Sequence, residues 1–159
     1  MKFYNIIQKL GYKSYNKIND NLFIGDYLCA LDKNFLENNN INIVVNCSKN
    51  LEFSDQNIHK YRVNLHDDMQ YSTIMLMVNY LKNLSPILNN HVEKNDKILV
   101  HCRCGMQRSA TILAGLLMYR YKITKWQAIK IIKSHRFVAF LPAPNFNLAL
   151  DIYEKYLNH

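Results

Sequence analysis

The sequence lacks a long apolar run, an export signal and a framework of paired cysteines. No apolar stretch approaches the roughly 20 residues that a membrane-spanning helix requires. Residues 1–17, MKFYNIIQKLGYKSYNK, lack the apolar core and small-residue cleavage site of a secretory signal. The four cysteines therefore indicate free thiols rather than disulfides. We expect a cytoplasmic or nuclear protein.

Composition and charge argue against disorder but leave the partner open. Hydrophobic residues make up 49% of the 159 residues, which is enough to build the core of a single domain. The formal net charge of +8 favours anionic partners, namely a phosphoprotein, nucleic acid or an acidic membrane surface. Because the lysines are scattered along the chain, the same charge is also typical of an ordinary solvated surface.

Short segments rich in β-branched residues predict strands that alternate with helices. The predicted strands are LFIG (22–25), INIVVNC (41–47), YRVNL (61–65) and KILVHC (97–102). Between the last two, apolar residues at helical spacing predict a helix over 72–90 that kinks or breaks at Pro86. This pattern is typical of a single α/β domain with a central, mostly parallel sheet flanked by helices.

The last third of the sequence predicts further helices. Their ranges are 109–121, 124–135 and 145–159. Thr124 and Gln127 have the spacing of a capping box, and Asn145 is a candidate N-cap.

The start of the chain also predicts a helix. One helical face carries Phe3, Ile6, Ile7 and Leu10, and Gly11 is a suitable stop. We therefore separate an N-terminal helical extension, residues 1–17, from a domain over residues 18–159. The simplest arrangement folds this helix onto its own domain.

The segment ILVHCRCGMQRSATILAGLL, residues 98–117, places reactive side chains between a buried strand and an apolar helix. A structural zinc site needs four ligands, usually in two close pairs, and no second Cys/His pair accompanies His101, Cys102 and Cys104. A thioredoxin-type redox pair needs two intervening residues, whereas a single residue separates these cysteines. A nucleophilic thiolate remains, and it calls for no metal and no cofactor.

The spacing from Cys102 to Arg108 suits a loop that binds an anion. The backbone N–H groups of such a loop and the positive end of the following helix form a phosphate cradle. The same field lowers a thiol pKa from about 8.5 to roughly 3.5–7.5, so Cys102 is expected to be a thiolate at neutral pH. Gly105 permits the turn, and Arg108 can donate two hydrogen bonds to phosphate oxygens. The alternative is a buried structural cysteine beside a helix N-terminus.

These residues resemble the cysteine-dependent dual-specificity phosphatases. VHCRCGMQRSAT matches the family signature His-Cys-x5-Arg-Ser, and INDNLFIGDYLCALD is similar to the family's opening strand and turn. INIVVNCS is similar to its next strand, and PAPNFNLALDIYEKYL to its closing helix. The resemblance covers about residues 18–157, and the compact length is similar to that of poxviral members. Cys104 departs from the family, which usually has a small residue there.

The resemblance implies a role for each residue of the motif. Cys102 attacks phosphorus to form a cysteinyl-phosphate, Ser109 helps the thiolate to leave, and His101 orders the loop. The implied phosphate-binding residues are Arg103, Cys104, Gly105, Met106, Gln107 and Arg108. In VNLHDDMQYS, alignment by the preceding strand makes Asp67 the general acid, with Asp68 as the alternative.

The resemblance further implies a hydrolase that acts on phosphotyrosine and on phosphoserine or phosphothreonine in proteins. Two alternatives stay open: an RNA 5′-phosphatase on the same fold, which the positive charge favours, and a catalytically inactive phosphate-binding module. The intact Cys102, Arg108 and Asp67 argue against the inactive module. The poxviral members add the virion as a third location and suggest a homodimer formed through the N-terminal helix.

Cys47 is a possible redox partner of the nucleophile. It ends the strand INIVVNC, and in a parallel sheet that end lies at the same edge as the end of KILVHC. Some phosphoinositide phosphatases of the wider superfamily carry a resolving cysteine at the corresponding strand end. The alternatives are a buried, inert Cys47 and a pairing of Cys102 with Cys104, which would strain the disulfide.

Overall fold

The computed structural model describes residues 2–54 and 57–159, which form a five-stranded sheet with helices on both faces. The strands are β1 (Tyr15–Lys17), β2 (Leu22–Gly25), β3 (Ile43–Asn46), β4 (His59–Arg62) and β5 (Ile98–His101). Their order across the sheet is β1-β2-β5-β3-β4, with β1 antiparallel to β2 and every other neighbouring pair parallel. The predicted α/β domain with a central, mostly parallel sheet is confirmed.

The helices cover the two faces of the sheet. They are α1 (Lys2–Lys9), α2 (Tyr27–Leu31), α3 (Lys33–Asn38), α4 (Tyr71–Glu93), α5 (Arg108–Tyr121), α6 (Lys125–His135) and α7 (Asn147–Leu157). Within the described ranges, none of them is long and apolar enough to cross a membrane.

The sequences of the central strands β2, β3 and β5 are mostly apolar because both of their faces are buried. Ile24, Val45 and Val100 belong to the main core, which the buried residues of α4, α5, α6 and α7 complete. Phe23 and Leu99 belong to the smaller core on the other face, together with residues of α2 and α3. Since the sheet is mostly parallel, β3 and β5 end at the same edge, where Asn46 pairs with His101. The reactive segment begins at this edge.

Several local predictions differ from the structure. Strand β4 begins at His59, two residues before the predicted range, and β1 was not predicted because its sequence YNK is short and polar. Helices α2 and α3 were also not predicted. They are short, and the Asp26 and Asp32 side chains cap them by accepting hydrogen bonds from backbone N–H groups of their first turns.

Three helix predictions concern individual residues. Of the predicted kink or break at Pro86, the break does not occur: α4 continues through Pro86 to Glu93, with the buried Leu84 and Leu88 on either side. Asn145 is not an N-cap: α7 has Phe146 at that position, and no side chain caps it. Thr124 and Gln127 form the predicted capping box of α6.

Candidate active site

The loop between β5 and α5 brings together the thiol, the arginine and the serine of the motif. Cys102 is 2% exposed at the end of β5, and the next helix starts at Arg108. The Ser109 hydroxyl lies 3.2 Å from the Cys102 Sγ. Arg108 is half-buried and donates to the Leu65 carbonyl at 3.3 Å. The arrangement is a buried thiol at the start of a loop that ends in a cation and a helix N-terminus.

The surroundings of Cys102 stabilise a thiolate. Burial raises the pKa of the thiol, but opposing interactions hold it below its ordinary value. These are hydrogen bonds from the hydroxyl and the backbone N–H of Ser109, the positive charge of Arg108 and a hydrogen bond from the Met106 N–H. A thiolate is the nucleophilic form of cysteine. This local geometry gives Cys102 the electrostatic environment that a nucleophile requires.

The loop is fitted tightly against β2. Gly105 has a φ of +64°, a left-handed conformation that disfavours a side chain, and a Cβ there would lie 2.5 Å from the Gly25 carbonyl oxygen. Arg103 and Cys104 are exposed and Met106 is half-buried. The turn therefore requires glycine at position 105, whereas the neighbouring positions can carry side chains.

Arg136 supports the loop from below, and sequence reasoning did not identify it. Its guanidinium is buried and donates to the Gly105 carbonyl at 2.8 Å and to the Cys104 carbonyl at 3.0 Å. It also donates to the Lys13 carbonyl at 2.9 Å and to Asn16 Oδ1 at 2.8 Å. Because these carbonyls are turned toward Arg136, the loop is held in one conformation. No local pattern around Arg136 signals these distant partners.

His101 is buried beneath the loop and is held neutral. Burial is the main cause that lowers the pKa of His101 to about 4. Its Nδ1 donates to the Cys102 carbonyl at 3.4 Å, and among the described residues Nε2 has no hydrogen-bond partner. A neutral imidazole in this position contributes to loop structure.

Asp67 is held over the cleft by a short chain of hydrogen bonds that starts in the loop. The buried Gln107 donates through Nε2 to the carbonyls of Leu141 and Ala143, at 2.9 and 3.0 Å. Its Oε1 accepts from the Asn145 backbone N–H at 2.9 Å, and Asn145 Nδ2 donates to Asp67 Oδ1 at 3.2 Å. Gln107 and Asn145 therefore position the carboxylate, a role that the local sequence did not reveal.

Asp68 faces different partners from Asp67. Its Oδ1 accepts from the Gln70 backbone N–H at 3.1 Å. A hydrogen bond from the Thr73 side chain is the main cause that lowers the pKa of Asp68. Both partners lie at the start of α4, so the Asp68 carboxylate is hydrogen-bonded to the N-terminus of that helix.

The cleft at the loop has a volume of about 190 Å³. It is lined by residues 48–51, His66, Asp67, Arg103 and Arg108. A larger cleft of about 370 Å³ lies beside residues 40–42, which precede β3, but its lining holds neither a nucleophile nor a cation. The smaller cleft is therefore the candidate active site, because it contains the cations and the carboxylate that the larger cleft lacks or does not combine.

Cys47 lies beside Cys102 on the adjacent strand end. The Cys47 N–H donates to the His101 carbonyl at 2.7 Å, and both thiols belong to the main core. Burial, followed by the negative charge of Cys102, raises the pKa of Cys47 well above its ordinary value. The exposed Cys104 also has a raised pKa, again through partial burial and the charge of Cys102. Cys102 is thus the thiol that its surroundings favour as thiolate.

The described residues hold no group of three or more His, Cys, Asp and Glu side chains that could bind a metal ion.

Comparison with known proteins identifies the family. A model of the dual specificity phosphatase catalytic domain matches residues 22–156. Dual specificity protein phosphatase 1B of Arabidopsis thaliana is 30% identical over 152 residues, covering 93% of this chain and 87% of the relative. AMV078 of Amsacta moorei entomopoxvirus, named as a tyrosine-protein phosphatase, is 29% identical over 150 residues, covering 90% of this chain and 88% of the relative.

The solved structure of human DUSP28 shares the fold, with a TM-score of 0.83 and 23% identity over 93% of this chain and 97% of that one. The matched domain includes the strand, the loop and the helix that carry Cys102 and Arg108. The chain therefore belongs to the dual-specificity phosphatase family and is a protein phosphatase.

Proposed function

We propose that this phosphatase hydrolyses phosphotyrosine and phosphoserine or phosphothreonine in proteins through a cysteinyl-phosphate on Cys102. The observation that carries the proposal is the buried Cys102 thiol, whose pKa is lowered by Ser109 and Arg108 beside a polar cleft. A thiolate with an adjacent cradle of N–H donors suits attack on a phosphate group. Phosphorylated proteins are the substrates.

In the first step, the Cys102 thiolate attacks phosphorus and the bond to the leaving oxygen breaks. Arg108 and the backbone N–H groups of residues 103–108 hold the other phosphate oxygens as charge redistributes. Asp67 donates its proton to the leaving oxygen. Asp67 lines the same cleft as Arg108, and Asn145 holds it there.

In the second step, water attacks the cysteinyl-phosphate and the S–P bond breaks. Asp67, now a carboxylate, accepts the proton of the water. Ser109 stabilises the departing thiolate through the hydroxyl that lies 3.2 Å from Sγ. Phosphate leaves, and Asp67 and Cys102 return to their starting states.

The test compares the turnover of phosphopeptides with that of RNA carrying a 5′-triphosphate, with Cys102→Ser as the inactive control. A protein phosphatase releases phosphate from phosphotyrosine and phosphothreonine peptides. The net charge of +8 keeps an RNA 5′-phosphatase as the second candidate, and a preference for the RNA would identify it. Phosphate binding without turnover by the unaltered chain would identify an inactive module.

Cys47 is expected to protect Cys102 during oxidation. Their strands are neighbours, and the strand spacing of about 4.8 Å falls within the roughly 4.4–6.8 Å Cα separation of disulfides. Peroxide converts the Cys102 thiolate to a sulfenic acid. The Cys47 thiol then attacks that sulfur, so an S–S bond forms, the S–O bond breaks and water leaves with the thiol proton. A reducing compartment such as the cytoplasm would reverse the disulfide.

We expect Cys47→Ser to lower the fraction of activity that reductant restores after mild peroxide treatment, because the sulfenic acid then oxidises further. Cys104→Ser is the matched control and should leave that fraction unchanged. Peptide mapping checks the pairing directly. Detection of a Cys102–Cys104 disulfide, or of Cys102 only in irreversibly oxidised forms, would contradict the expectation.

We further propose that two copies associate through the N-terminal extension, residues 1–17, of which residues 15–17 pair with β2 as strand β1. Helix α1 buries Ile7 in its own domain but leaves Phe3, Ile6 and Leu10 more than half exposed. These three side chains are an apolar surface that a second copy of the helix can cover.

Deletion of residues 1–12 is expected to halve the mass of the particle in solution, measured by light scattering. Exchanging Phe3, Ile6 and Leu10 together for serine should have the same effect. This second variant keeps Tyr12, whose hydroxyl donates to the buried Asp26 at 2.5 Å. An unchanged mass in both variants would end the dimerisation hypothesis.

A further inference from the structure

The direction of the loop N–H groups depends on how the carbonyls of the same peptide groups are held. Arg136 donates to the Gly105 carbonyl at 2.8 Å. The next N–H along the chain, that of Met106, belongs to the same peptide group and donates to the Cys102 thiol. Because a trans peptide group points its C=O and its N–H in opposite directions, Arg136 fixes the direction of a hydrogen bond that stabilises the thiolate.

Residues of the N-terminal extension hold Arg136 in turn. Its guanidinium donates to the Lys13 carbonyl at 2.9 Å, to Asn16 Oδ1 at 2.8 Å and, more weakly, to the Tyr12 hydroxyl at 3.4 Å. The guanidinium also lies over the Tyr12 ring, 5.1 Å from its centre. Arg136 is buried, so it depends on acceptors that the protein itself provides. The segment 12–16 provides acceptors in addition to the loop carbonyls.

Tyr12 links Arg136 to a buried carboxylate. The Tyr12 hydroxyl donates to Asp26 Oδ2 at 2.5 Å, and Asp26 is buried. In the part of the chain that the structure describes, Arg136 and Asp26 form no direct ion pair, and the Tyr12 hydroxyl joins the two. Burial, followed by the hydrogen bond to Asp26, raises the pKa of Tyr12. The hydroxyl therefore keeps the proton that it donates.

Asp26 holds a second carbonyl of the catalytic loop through helix α2. Its Oδ1 accepts from two backbone N–H groups in the first turn of α2, at 2.9 and 3.1 Å. The first residue of that helix, Tyr27, donates its own N–H to the Arg103 carbonyl at 3.3 Å. Tyr12 thus contacts both Arg136 and the carboxylate that fixes the start of α2, and each of these elements holds part of the loop.

We propose that Tyr12 and Asn16 are positioning residues for the phosphatase reaction, which hold Arg136, and through it the catalytic loop, in the conformation that binds phosphate. Neither residue lines the active-site cleft, so both act through Arg136. The inference rests on the proposed function. It gives the N-terminal extension a role in catalysis that is separate from association through the apolar face of α1.

The test uses Tyr12→Phe, which removes the hydroxyl and keeps the ring beside the guanidinium. Tyr15→Phe is the matched control in the same segment. The Tyr15 ring packs on Phe35, with the ring centres 4.1 Å apart, and within the described ranges its hydroxyl forms no hydrogen bond. Asn16→Ala removes an independent contact to Arg136. Each variant is assayed with p-nitrophenyl phosphate, with inorganic phosphate as a competitive inhibitor, and light scattering checks that its mass is unchanged.

Tyr12→Phe is expected to lower kcat/KM about tenfold, less than the roughly 10²-fold cost of a 1 Å misplacement at the reacting groups, because the contact acts through Arg136. Its kcat should fall and the inhibition constant of inorganic phosphate should rise, since the loop N–H groups bind both the ground state and the transition state. Asn16→Ala should act in the same direction, and Tyr15→Phe should leave both values unchanged.

A second readout follows the Cys102 thiol itself. The rate at which iodoacetate alkylates Cys102 is measured against pH by mass spectrometry, so it reports the thiolate fraction and does not depend on turnover. Tyr12→Phe should move this profile to higher pH, because the Met106 N–H donates less well to the thiolate once its carbonyl partner is loosened. A loss of stability alone would not move the profile. The variant leaves unchanged the other groups that face the thiol, namely Ser109, Arg108 and Cys47.

The connection through Arg136 is tested with Arg136→Lys, which keeps the charge but replaces the guanidinium fork by a single ammonium. In that background Tyr12→Phe should cause little further loss, because residues that act through one another are not additive. Unchanged kcat/KM and an unchanged alkylation profile in Tyr12→Phe would overturn the proposal. An equal loss in Tyr15→Phe, or additive losses in the double variant, would overturn it as well.

Failure of the proposed function is a separate result. It appears as the absence of p-nitrophenyl phosphate turnover by the unaltered enzyme, whereas the alkylation profile still decides whether Tyr12 positions the loop.

Discussion

Replacement of Asp67 by asparagine is expected to slow the hydrolysis of substrates with poor leaving groups by about 10²–10⁴, the contribution of a general acid. The amide keeps the shape of the side chain and can still contact Asn145, but its N–H protons are not acidic enough to be transferred to the leaving oxygen. Asp68→Asn should have little effect, because Asp68 accepts hydrogen bonds from the Gln70 backbone and from Thr73 at the start of α4. Substrate affinity should barely change in either variant.

The measurement is kcat for a series of aryl phosphates whose leaving groups differ in pKa. Without the acid, the rate should depend more steeply on leaving-group pKa, so activated esters are affected least. Equal defects in the two asparagine variants, or a defect only at Asp68, would move the role of the acid away from Asp67.

Arg136→Met is expected to produce the largest loss of stability among the substitutions considered. The buried Arg136 guanidinium donates hydrogen bonds to the carbonyls of Lys13, Cys104 and Gly105. Each buried acceptor that loses its hydrogen bond lowers the free energy of unfolding by about 1–3 kcal/mol. The free energy of unfolding should therefore fall by about 3 kcal/mol or more. Activity should fall as well, since the loop loses the contacts that orient its N–H groups.

Lys133→Met is a suitable control, because Lys133 lies in the last turn of α6 and Arg136 directly follows that helix. Its ammonium makes a single hydrogen bond, to the Ala139 carbonyl at 2.9 Å, so we expect a loss of only about 0.5–1.5 kcal/mol. Urea unfolding measures both variants. Similar stabilities for the two proteins would contradict the supporting role of Arg136.

The parts of the fold that were predictable have local signals. The apolar run of β5, the cysteine that follows it and the apolar helix α5 are adjacent in sequence, so periodicity and spacing located them together. The two cores explain why the central strands β2, β3 and β5 are mostly apolar: neighbouring residues such as Phe23 and Ile24 face different layers. Strand β1 gave no such signal, because it is a short polar edge.

The parts of the site that were not predictable depend on contacts between distant residues. Arg136 bonds to Gly105 and Lys13, and neither lies near it in the sequence. Asn145 resembled a helix cap locally, but its side chain donates to Asp67. The sequence offered Asp67 and Asp68 as alternatives, and the fold gives them different surroundings: Asp67 lines the cleft, and Asp68 is bound to the start of α4.

The contact between Gly105 and Gly25 limits how this catalytic loop can evolve. A side chain at position 105 would meet the Gly25 carbonyl at 2.5 Å, and one at position 25 would meet the Cys29 sulfur and the Ser14 carbonyl. Both positions are thereby closed to single substitutions, so a change at one cannot be accommodated by a simple change at the other. Positions 103 and 104 are exposed and free of that contact. New substrate preferences can therefore accumulate at the rim of the loop while its backbone stays fixed.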